Sequence, residues 1–107
     1  MQLASWHVNQ LATLLPKLHS TSNLPDPIVP VKLFTPDAAA TWFLIEYDPD
    51  ERLAFGWCDL GFPGCEELGY ISMDEIDHVR GALGLKVEMD KYWQPCPLSE
   101  ITSGRRR

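Results

Sequence analysis

No stretch of the chain approaches the roughly 20 consecutive apolar residues that a membrane-spanning helix needs, so no membrane is expected among its partners. The N-terminus carries no basic segment leading into an apolar block, and no signal peptide is visible there. Cysteine is sparse and unevenly spaced. Cys58, Cys65 and Cys96 make an odd set in a chain without an export signal, which points to free thiols in a reducing, cytoplasmic setting. The glycine-rich part lacks the G-x-x-x-x-G-K pattern of a phosphate loop. Positive charge is scarce through the middle of the chain. Residues 46–90 hold twelve acids against Arg52, Arg80 and Lys86, a net of −9 in a chain whose total is −6. Such a field repels phosphate, so the folded body is not expected to bind nucleic acid directly. It suits a basic protein partner, such as one that itself handles nucleic acid. Simple solvation by acidic loops accounts for the same charge without any partner. The basic C-terminal tail, Arg105–Arg107, is the one place where nucleic-acid binding has a foothold.

What is present reads as one domain. A chain of 107 residues buries enough surface for a single core. Ser5 is a suitable N-cap for a first helix. Leu11, Leu14, Leu15 and Leu18 fall at helical spacing with His7 one turn before Leu11, but Pro16 interrupts the pattern and the helix is expected to end near Leu14. Residues 20–30, with Pro25, Pro27 and Pro30, predict a connector. Val29–Phe34 predicts a short strand that either lies at a sheet edge or begins at Pro30, because Pro30 has no N–H for a ladder. Thr41–Tyr47 is the strongest strand. Phe43, Ile45 and Tyr47 alternate with Trp42, Leu44 and Glu46, and both faces are largely apolar, as in a central strand. The Asp48–Glu51 turn returns the chain into a strand over Arg52–Asp59. A Gly/Pro loop and a strand over Leu68–Ile71 follow. Ser72 with Glu75 starts a second helix near residues 73–82, with Met73, Ile76, Val79 and Leu83 inward. Leu85–Met89 is a last strand. The order predicts an α+β fold: an antiparallel sheet of about four to five strands with helices against one face. Residues 1–98 form the expected domain and 99–107 a flexible basic tail.

The densest stretch is Gly56–Ser72, with four of the seven glycines and two of the three cysteines. Cys58, Cys65, His78 and Cys96 are the residue types of a Cys₃His zinc set, but six, twelve and seventeen residues intervene between them. Structural zinc sites need thiolates on one tight turn. No cofactor is therefore expected. Glu66 and Glu67 beside Cys65 oppose formation of a thiolate there. A small metal-dependent or cysteine-based enzyme using the 58–67 loop and His78 is the alternative to a binding role. Of the aromatics Trp42, Tyr47, Phe55, Trp57, Phe62, Tyr70, Tyr92 and Trp93, the loop residue Phe62 is the one expected at the surface, an interface anchor. Asp59, Glu66, Glu67, Asp74 and Asp77 form its expected acidic rim.

Several short segments carry a resemblance, in order along the chain. They are Leu15-Pro16 with Leu18, Asp26 to Pro36, Thr41-Trp42, Phe55-Gly56, Glu67 to Tyr70 with Ser72, and Gly84 to Asp90. Together they resemble a family of small bacterial proteins of unknown function often found on plasmids and conjugative elements, across roughly residues 11–100. Members often have a longer acidic insert where this chain has the tight Asp48–Glu51 turn, and Cys65 with its neighbours looks local to this chain. The resemblance implies an accessory role on a mobile genetic element and brings no catalytic residues. The expected function is non-catalytic protein binding through an acidic surface, an anti-defence inhibitor being one form of it.

Overall fold

The computed structural model describes residues 10–105. Ser5 and His7, expected in the first helix, and Arg106 and Arg107, expected in the tail, lie outside the described residues. A five-stranded antiparallel sheet organises the rest. Its strands in chain order are β2 (Val31–Phe34), β3 (Thr41–Asp48), β4 (Leu53–Asp59), β5 (Glu67–Ser72) and β6 (Glu88–Met89). Their order across the sheet is β5-β4-β3-β2-β6. A second, two-stranded sheet pairs β1 (Ile28–Val29) with β7 (Cys96–Pro97). The helices are α1 (residues 10–14), α2 (Met73–His78) and α3 (Leu98–Thr102). The fold is α+β.

β3 is central, and its six residues Trp42–Tyr47 are all buried. Strict alternation would put Tyr47 beside Phe43 and Ile45. The register instead slips between Leu44 and Glu46, a β-bulge that gives β3 one extra residue against β4. Ile45 and Glu46 share Phe55 as their opposite number, and Tyr47 swings to the face of Leu44. Gly56 makes the bulge possible. A Cβ there would lie 2.1 Å from the Phe43 carbonyl oxygen.

Each face of the sheet carries its own core, which corrects the expectation of helices on one face only. On one side, Leu11 and Leu15 from the N-terminal segment and Met73 and Ile76 of α2 pack on Val31, Leu33, Trp42, Leu44 and Ala54. On the other, Val29, Cys96 and Ile101 pack on Phe43 and Ile45, with Trp93 and Leu98 against them. Pro16 ends the first helical segment, and its carbonyl accepts a bond from Tyr47 N at 2.9 Å, docking the chain on β3.

Four further boundaries differ from the sequence expectations. Pro30 marks where the sheet strand begins, at Val31, rather than an edge position. It divides residues 28–34 between the two sheets, and β2 has β3 on one side and β6 on the other. The helix expected over 73–82 ends at His78, because Val79 is extended and residues 81–85 turn back under Asp37. The Asp37 Oδ2 atom accepts from Leu83 N at 2.6 Å, which leaves Leu83 exposed rather than on an apolar stripe. The strand expected over 85–89 joins the sheet only at Glu88 and Met89, while Lys86 makes an isolated antiparallel bridge to Arg80. Residues 99–102 are not part of a frayed tail. They belong to α3, whose Ile101 is fully buried. Its first turn is capped from far away: Asp26 accepts from Ser99 N at 2.9 Å and from Ser99 Oγ at 2.7 Å. Those bonds hold the Asp26 pKa below the ordinary carboxylate value.

Candidate binding surface

β5 is the last strand on its side of the sheet, and no described residue pairs with its outer edge. It begins at the loop of residues 60–66 and ends at Ser72, whose hydroxyl caps α2 by accepting from Glu75 N at 3.3 Å. The loop is braced by its own acids. Asp59 Oδ1 accepts from Gly61 N at 2.9 Å and Glu66 Oε2 from Gly64 N at 3.0 Å. Gly61 and Gly64 both have positive φ, which lets the loop close this tightly. Phe62 is held out at its tip, 66% exposed.

Leu68 and Tyr70 stand on one face of β5, opposite Trp57 and Phe55 of β4. Tyr70 is 58% exposed and Leu68 44%. Both border an apolar hollow of about 330 Å³ between β5 and residues 19–27, floored by Ile45 and Phe55. His19 meets the Tyr70 ring edge-on at 6.0 Å. Glu46, turned toward this side by the bulge, holds the covering segment in place. It accepts from His19 N at 2.7 Å, Thr21 N at 2.8 Å and the Thr21 hydroxyl. Burial opposes its ionisation, but these bonds outweigh burial and hold its pKa below the usual range.

Glu67, Gly69 and Ile71 stand on the other face of β5. There a second hollow, of about 280 Å³, is walled by Trp42, Leu60, Ile76 and Val79, with Glu67 and Glu75 on its border. Gly69 leaves its floor open: a Cβ built on it meets nothing within 4 Å. The Cys58 thiol also lines this hollow, and its pKa is raised, first by burial and then by Asp59 and Glu67. A thiol so placed stays protonated, which gives it little nucleophilic character.

The sequence-derived site residues separate into two groups. Asp59, Phe62, Glu66 and Glu67 gather around the 60–66 loop and the start of β5. Asp74 and Asp77 ride on α2, and Asp74 is engaged at the far end of β5, ion-paired with Arg52 at 2.6 Å. The four zinc-type residues are dispersed. Cys58 faces the second hollow and Cys65 is exposed on the loop. His78 is exposed with Nδ1 at 2.7 Å from the Asp74 carbonyl, while Cys96 is buried on the opposite side of the sheet. No group of three or more His, Cys, Asp or Glu side chains among the described residues could hold a metal. Arg105 is exposed.

Leu68, Gly69 and Tyr70 escaped the sequence reading. Tyr70 was expected in the core, as was Tyr92, which is 91% exposed. The signal lay in topology: a strand followed directly by a helix, with no later strand long enough to cover its edge. A family described as proteins of unknown function, DUF2958, matches residues 6–104. The chain belongs to the DUF2958 family. The match runs through every strand and helix of the described structure, both hollows and the loop between them. No curated protein and no solved structure matches the chain.

Proposed function

We propose that this DUF2958 protein is a non-catalytic binding module that takes a basic protein partner on the 59–70 side of its sheet. One observation carries the reading. Phe62, Leu60, Leu68 and Tyr70 are exposed together on one loop and the strand that follows it, amid the carboxylates of Asp59, Glu66 and Glu67. Isolated exposed apolar residues are ordinary, whereas several in one segment with charged neighbours have the make-up of an interface. The raised pKa of Cys58 and the scattered cysteines support binding over chemistry. The setting we propose is a mobile genetic element, supported by the resemblance to plasmid-borne proteins. A host defence protein that handles nucleic acid is one form of partner, which this chain would inhibit.

The test is a pull-down from host lysate at low salt, with the wild-type chain and a Phe62→Ser, Glu67→Lys double variant. The wild type should retain a basic partner, and the variant should retain it at least ~10-fold less well. Loss of the partner on raising salt should follow the screening of exposed charge. Recovery of nothing by the wild type at low salt would sink the reading.

A further inference from the structure

We infer that β5 is a docking edge for an extended basic segment of the partner, which joins the sheet as a sixth strand. The inference rests on the protein-binding reading and names how that binding is made.

Exposed sheet edges are usually blunted by lysine, proline, a bulge or an inward charge, since an open ladder invites unwanted pairing. The six residues Glu67–Ser72 contain neither lysine nor proline, and their register with β4 is unbroken. The only charged residue among them is Glu67, at the first position. This edge is left open. The two hollows lie on opposite faces of the same strand, one beside Leu68 and Tyr70, the other beside Glu67, Gly69 and Ile71. A strand laid along β5 points successive side chains to alternate faces, so its odd and even residues meet the two hollows in turn. Main-chain bonds supply affinity without regard to sequence, and the hollows select the side chains.

The chemistry of each hollow identifies the occupant. The Phe55 side is apolar and takes a branched or aromatic residue. The Gly69 side is apolar at its floor and bordered by Glu67 and Glu75, which suits the long stem and charged head of arginine or lysine. A second copy of this chain is the poorer fit. It carries the same −6 charge, and antiparallel pairing of β5 with β5 would set Glu66 and Glu67 of each copy against Asp74 and Glu75 of the other. The occupant is therefore an extended segment in which basic and large apolar residues alternate.

The experiment uses the full chain, isotopically labelled, and a short synthetic peptide alternating arginine and valine. A second peptide of the same charge has prolines in place of two valines. The first peptide should slow amide exchange within residues 67–72. The proline peptide should bind at least ~10-fold more weakly, since it cannot complete a ladder. A Cβ at Gly69 meets open space, and Gly69→Val fills the floor with methyls on it, so the variant should fold with undiminished thermal stability and lose ~10-fold or more in affinity for the first peptide. Equal binding of both peptides overturns the inference. So does unchanged exchange at 67–72 on saturation, full affinity in Gly69→Val, or a dimer whose β5 amides are protected without peptide. A basic partner recovered by pull-down that leaves those amides unprotected overturns the sixth strand while the binding module stands. No partner and no peptide binding removes both.

Discussion

A carboxylate as deeply enclosed as that of Glu46 survives in the fold because three donors from His19 and Thr21 converge on it. Glu46→Gln keeps the shape but weakens that reception. The variant should lose about 1–3 kcal/mol of stability near neutral pH, measured by urea unfolding. The loss has a pH signature. The folded pKa of Glu46 lies below 4.5, its ordinary value, so its ionised form stabilises the fold fully above that value and less as pH falls through the folded pKa. The gap between wild type and Glu46→Gln should therefore narrow in acid. A gap that is constant with pH would show that charge is not what the three donors recognise. Gly56 and Gly69 offer a second comparison, because they are directly paired across β4 and β5 yet sit in opposite circumstances. Gly56→Ala drives a methyl into the Phe43 carbonyl and should cost about 1–3 kcal/mol or more. Gly69→Ala meets open space and should gain roughly 0.5–1 kcal/mol from strand propensity. Thermal unfolding of the two variants should shift in opposite directions.

Among the elements, α3 owes least to its own sequence. It has five residues, and its N-cap, Pro97, offers no side-chain bond. Helices so short are not stable alone. This one is held by Asp26, seventy-three positions earlier, and by burial of Ile101 against Val29, Phe43 and Ile45. Ile101→Ala should cost about 2–5 kcal/mol, a core-sized loss at a position six residues from the last residue, checked by denaturant titration. A change of a few tenths would return these residues to the status of a tail. The same reasoning explains what could be read in advance. The β3–β4 hairpin and the Ser72 cap were legible because their determinants are local: alternating apolar residues, an Asp-Pro turn, a serine three residues before a glutamate. The break at Pro30, the shortened α2 and the existence of α3 depend on β7, Asp37 and Asp26, each distant in sequence from what it governs. The bulge in β3 was hidden for another reason. Its enabling residue, Gly56, lies on the neighbouring strand and reads there as an ordinary glycine. The docking edge was illegible in the same way, since no local pattern shows which strand ends up without a neighbour.

At the scale of the whole molecule, the two cores are separate clusters that share one wall. Phe43 and Ile45 face one of them, Trp42, Leu44 and Tyr47 the other, and all five belong to β3. Neither core can lose its packing without exposing the strand that the other needs. Unfolding should thus be a single cooperative transition. Far-ultraviolet circular dichroism, which follows the sheet, and tryptophan emission, which follows Trp42 on one side and Trp93 on the other, should trace one curve. Separate midpoints would mean that one core can melt alone.

The Cys65 thiol has a practical bearing on every such measurement. It is the exposed one of the three thiols, and it lies three residues from Phe62. In air, two copies can be joined there by an intermolecular disulfide, tip to tip, hiding the very surface proposed to receive a partner. The joined species would mimic self-association and report a false absence of binding. Kept reduced, the same atom is a ready attachment point: a maleimide dye placed on it, with Cys58 and Cys96 sheltered, would sense an arriving strand through its own change in emission.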